Sequence, residues 1–137
     1  MKLIPPLISI ALFAWSCFSN VFIFEEGSSS FLFGLICLVF GFGHLSWFAN
    51  PALATAWILY FCRRFQLASA FGAAALILGL SAFFIKELPR DEAGNTTRIL
   101  GFYRGYYLWM SAHFVILISS LYLWAKTNKH NRVGGRF

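Results

Sequence analysis

Between Gly41 and Arg64 the chain reads GFGHLSWFANPALATAWILYFCRR, and how this stretch folds decides how often the chain crosses a bilayer. It closes a run from Gly27 to Cys62 of 36 residues without a single Asp, Glu, Lys or Arg. As one helix, the part from Phe31 to Cys62 would be about 48 Å long at about 1.5 Å per residue, against a hydrocarbon thickness of about 30 Å. The run must break. Asn50-Pro51 is the expected place, because Asn is a favoured helix cap and Pro is favoured in the first helical turn, where its missing N–H costs nothing. The predicted half-helix, 51–62, is short for a full span.

The surrounding sequence has a membrane composition. Of 137 residues 59% are hydrophobic and 12% charged, about half the charged share of an average soluble domain. Three further charge-free runs, Leu3 to Phe24, Phe65 to Ile85 and Gly105 to Ala125, each reach the roughly 20 residues that a membrane helix needs. In the first, Trp15 and Phe18 crowd the small residues that a signal peptidase would need, so it reads as an uncleaved helix.

These runs predict an all-α integral membrane protein. It is a bundle of four transmembrane helices, about 5–24, 31–48, 67–85 and 105–125, with a short broken or re-entrant helix after Asn50-Pro51 and a basic tail, 126–137. With four crossings both termini share a side. Lys2, Arg63, Arg64, Lys126, Lys129, Arg132 and Arg136 lie there, seven basic residues against four (Lys86, Arg90, Arg98, Arg104) on the other. A fifth crossing would lower the bias to six against five. The seven-residue side is therefore expected to be cytoplasmic. The net charge of +6 then anchors the chain beside anionic lipid and gives no reason to expect nucleic-acid binding.

Histidines within membrane segments are functional candidates. His44 would lie about 20 Å and His113 about 13 Å below the outer helix starts, a mismatch that argues against shared haem or metal ligation. Neither has a Glu, Asp or Cys at metal-site spacing, so no metal or cofactor is expected and each histidine is assigned an interhelical hydrogen bond. Cys17, Cys37 and Cys62 form no CxxC pair and read as small apolar residues. Ala68, Gly72, Ala75 and Gly79 mark faces where another helix can approach closely.

The most polar outer piece runs from Lys86 to Ser111. Pro89 ends a helix, Asp91, Glu92, Gly94 and Asn95 build a polar turn, and Tyr106, Tyr107 and Trp109 read as an aromatic belt at the membrane surface. WFANPALATAWILYF (Trp47 to Phe61), KELPRDEAGN (Lys86 to Asn95) and GYYLWMS (Gly105 to Ser111) resemble, in order and spacing, a recurrent group of small bacterial integral membrane proteins with no known activity. The resemblance covers roughly Phe40 to Ser120. It implies a bacterial inner-membrane protein and marks Trp47, Asn50, Pro51, Asp91, Glu92, Gly94, Asn95, Gly105, Tyr106, Tyr107 and Trp109 as the positions to test.

Catalysis finds little support, since GxSxG, HExxH and phosphate-binding loops are all lacking and no acidic residue lies within a predicted helix. Two functional classes follow. One is a non-enzymatic protein that binds a partner, such as another membrane protein or a second copy of itself, through Asp91, Glu92, Gly94, Asn95, Tyr106, Tyr107 and Trp109, as an accessory subunit or an immunity-type protein would. The alternative is a small transporter or channel component built on His44, Trp47, Asn50 and Pro51, because half-helix termini in membranes commonly hold ligands.

Overall fold

Helix α1, Ile4–Cys17, carries prolines in its first turn, where they cost no hydrogen bond. In this computed structural model, which describes residues 3–25, 27–28, 33–40, 43–89 and 96–134, α1 stops well short of Phe24. The Ser16 and Ser19 hydroxyls donate to the carbonyls of Phe13 and Trp15 near the end of the helix. Beyond them Phe22–Phe24 forms strand β1, from the aromatic and β-branched residues that favour an extended chain.

The remaining elements are β2 (Gly27–Ser28), α2 (Phe33–Phe40), a 3₁₀ turn (Leu45–Phe48), α3 (Ala49–Phe61), α4 (Phe65–Leu80), a second 3₁₀ turn (Ser81–Phe84), β3 (Glu87–Pro89), β4 (Thr96–Phe102) and α5 (Arg104–Gly134). The chain is mostly helical. It is not all-α, however, because the four strands pair in the order β2-β1-β4-β3. All three pairings are antiparallel, with Phe22 opposite Phe102 and Glu87 opposite Arg98, and a register shift follows Ile23. The residues read as outer connectors thus satisfy one another's backbone groups as a sheet.

Two helical stretches, Phe65–Phe84 and Arg104–Lys129, are long and apolar enough to cross a membrane. Four such spans are not found among the described residues. The 14 residues of α1 and the 13 of α3 reach about 21 Å and 20 Å. The expected helix 31–48 is divided into the eight residues of α2 and the 3₁₀ turn.

The break therefore lies earlier than expected. His44 is extended, with φ −109° and ψ 142°, and from Leu45 the 3₁₀ turn runs straight into α3. Asn50-Pro51 sits inside the first turn of α3, where the proline is tolerated. Asn50 does not cap the helix, since the cap position is Phe48 and no side chain caps it.

Helices α1, α3, α4 and α5 form a bundle in which α1 packs on α5, α3 on α4 and α4 on α5. The small residues of α4 do what their spacing predicts. Ala68, Gly72, Ala75 and Gly79 are all buried, and a Cβ on Gly72 would stand 3.3 Å from the Leu117 backbone of α5. Around them Leu53, Ala56, Tyr60, Ala112 and Ile116 complete the core. A polar thread joins three helices: the Trp57 indole N–H donates to Ser9 Oγ at 2.9 Å, and Ser9 Oγ donates to the Ala112 carbonyl at 2.7 Å. The two ends of the bundle differ. One carries the sheet, while the other carries Arg63 and Arg64 in the α3–α4 turn and Lys126 and Lys129 on α5.

Candidate functional site

The sheet is seated on the bundle by aromatic rings. Phe102 lies 5.6 Å from Phe22, 4.8 Å from Phe83 and 4.2 Å from Tyr106, ring centre to ring centre. Tyr106 is buried and its hydroxyl donates to the Gly79 carbonyl at 3.3 Å. Beneath this seat lies a cavity of about 440 Å³ bounded by α1, α2, the first 3₁₀ turn, the starts of α3 and α5, and the sheet. Phe13, Phe22, Cys37, Leu38, Leu88, Tyr106 and Trp109 make its wall largely apolar. A volume in this range is ordinary for a small-molecule site.

Helix α2 is the cavity's separate wall. It touches α1 through Gly34, where an added Cβ would collide with the Ser16 carbonyl and lie 2.9 Å from Cys17 Cα. Only a residue without a side chain permits this approach. Its far end is fastened by Trp47, whose indole N–H donates to the Leu38 carbonyl at 2.8 Å, an acceptor that the last helical turn leaves open.

Asn50 and Trp109 close the floor. The Trp109 indole N–H donates to Asn50 Oδ1 at 2.9 Å, joining α3 to α5. His113, one turn further along α5, is fully buried, and its Nδ1 lies 2.7 Å from the Trp109 carbonyl. This contact is within one helix. The ring also meets the backbone of Ala49 on α3. His44 is not deep in the bundle. It lines both the cavity and a second recess of about 370 Å³ shared with Ser46, Ser81, Lys86 and Glu87, beside the sheet.

The candidate residues thus divide. His44, Trp47, Asn50, Tyr106 and Trp109 converge on the cavity, so two of the sequence motifs, WFANP and GYYLW, meet in space. Pro51 is exposed on α3. Tyr106 and Trp109 turn inward instead of forming a belt, and Tyr107, 58% exposed, keeps the outward position. Asp91, Glu92, Gly94 and Asn95 lie outside the described residues. Sequence reasoning missed the walls contributed by Gly34, Cys37 and Phe22. A cue to the extended His44 was present in Gly43 immediately before it.

Among the described residues no group of three His, Cys, Asp or Glu side chains is placed to hold a metal ion. No family model, no curated protein and no solved structure matches this chain.

Proposed function

We propose that the chain is a multi-pass protein of the bacterial inner membrane that works without catalysis, by binding at its outward, sheet-bearing end. In this reading the two long spans are joined by α1 and by the 3₁₀ turn with α3, giving four crossings. Both termini and the basic end, with Arg63, Arg64, Lys126 and Lys129, face the cytoplasm. Helix α2 is the re-entrant piece, entering from the sheet side. The observation that carries the reading is the apolar cavity held between the bundle and the sheet. A sheet built on helix ends presents a binding surface from a rigid support.

Conduction finds less support. The cavity ends at Phe13, Asn50 and Trp109, and the layer nearer the basic end is filled by Leu53, Ala56, Tyr60 and Ile116. Purified chain in liposomes is expected to leave proton and potassium gradients as protein-free vesicles do. A flux that His44→Leu removes would contradict the proposal and favour a transporter centred on the broken segment.

A further inference from the structure

Three of the cavity's polar side chains are already engaged. Asn50 Oδ1 accepts from Trp109, the Trp47 indole donates to Leu38, and the Tyr106 hydroxyl donates to Gly79. What remains for a guest is mostly hydrocarbon surface, with His44 and Ser46 on the side shared with the second recess. A polar solute would lose water there and gain little in return. The volume is about three times that of an engineered cavity of about 150 Å³ that holds benzene, which is room for one bent chain and not for a two-chain lipid.

The second recess is more polar. It shares His44, Ser46 and Ile85 with the cavity and adds Lys86 and Glu87. The Glu87 carboxylate is engaged, since its Oε2 accepts from Thr96 Oγ1 at 2.9 Å, and Arg98 stands opposite it in the sheet. Among the described residues that line the recess, Lys86 is the one cation and Glu87 the one carboxylate. An apolar chamber whose mouth offers the Lys86 ammonium beside an already engaged carboxylate suits a chain with an anionic head.

We propose that the cavity and the adjoining recess form one site for a single-chain anionic amphiphile, a free fatty acid or a lysophospholipid. Its chain lies between α2 and the bundle, and its headgroup lies at Lys86 and His44. This rests on the outward-end binding proposed above and names its ligand. Helix α2, held by Gly34 and by Trp47, is the wall past which the chain enters.

The test is fluorescence titration of the full-length protein in phosphatidylcholine nanodiscs with parinaric acid and with the matching uncharged alcohol, empty discs giving the background. Saturable binding of one equivalent is expected. Filling the chamber by Cys37→Trp should weaken binding of both probes about tenfold or more. Lys86→Gln should weaken the acid about fivefold and leave the alcohol unchanged. Where Cys37→Trp does not fold, protection of the Cys37 thiol from N-ethylmaleimide by parinaric acid, in a Cys62→Ser background, gives the same information. Displacement by oleate alone assigns a fatty acid, and displacement by lysophosphatidylglycerol alone assigns a lysolipid; displacement by both supports the shared chemistry.

Binding no greater than in empty discs, or binding that neither Cys37→Trp nor the protection assay senses, would overturn the site. Equal effects of Lys86→Gln on acid and alcohol would overturn its anionic selectivity. Either failure leaves the membrane topology, which is measured independently, untouched.

Discussion

The Trp109 indole N–H donates to Asn50 Oδ1 across 2.9 Å, so the side chain expected to cap a helix instead ties α3 to α5. Asn50→Leu removes the acceptor and leaves a partly buried donor unpaired, at a cost of about 1 to 2 kcal/mol. Asn50→Asp keeps an acceptor at the same reach and should be milder, whereas Asn50→Ser is too short to reach the indole and should resemble Leu. A capping role would instead make Ser as good as Asp. Thermal unfolding of the three variants distinguishes the two.

The thread from Trp57 through Ser9 to Ala112 makes a second prediction. Ser9 accepts from one helix and donates to another, so Ser9→Ala strands the Trp57 N–H and costs about 1 kcal/mol. In a double-mutant cycle with Trp57→Phe the two losses should be less than additive. Full additivity would show that the thread contributes no coupling.

Arg63 ends α3 with φ 58°, a conformation that glycine adopts at no cost. The turn hydrogen bonds Arg63 N to the Tyr60 carbonyl and Arg64 N to the Leu59 carbonyl, the double closure usually built around glycine. Arg63→Gly should therefore stabilise the fold by about 1 kcal/mol. The arginine is retained in this reading for its charge on the cytoplasmic side, so the same variant should raise the fraction of inverted chains. A stability loss in the unfolding assay would contradict the backbone argument.

Much of this architecture could be read from residue spacing, and the failures have a common cause. The close-packed face of α4 followed from Ala68, Gly72, Ala75 and Gly79, because small residues at helical spacing have a single geometric meaning. Absence of charge has two meanings. The runs ending at Phe24 and Ile85 counted as helix, yet Phe22–Phe24 is a strand and Ile85 follows a 3₁₀ turn. Apolar strands that seat a sheet look like helix by hydropathy. Cues for the sheet were present in the β-branched Thr96, Thr97 and Ile99 and in Gly27 at the β1–β2 turn. The pairing of β1 with β4, more than seventy residues apart, is not a local property. Convergence of WFANP with GYYLW was likewise invisible, since it depends on which helix neighbours which.

Gly34 predicts how α2 is held. Any side chain there meets the backbone at Ser16 and Cys17, so Gly34→Ala should push α2 away from α1 and open the cavity wall. The Cys37 thiol should then react several-fold faster with a maleimide, opening being the only change needed for access. Unchanged reactivity would mean that α2 does not rest on this contact.

The central claim is that the sheet lies outside and the basic end inside. In a chain with Cys17, Cys37 and Cys62 replaced by serine or alanine, single cysteines at Glu25, Arg64, Thr96 and Lys129 would be labelled in intact spheroplasts with a membrane-impermeant maleimide. Glu25→Cys and Thr96→Cys are expected to label at once, and Arg64→Cys and Lys129→Cys only after the membrane is opened. Labelling of Arg64→Cys from outside, or of Arg64→Cys and Thr96→Cys from the same side, would contradict the four-crossing account.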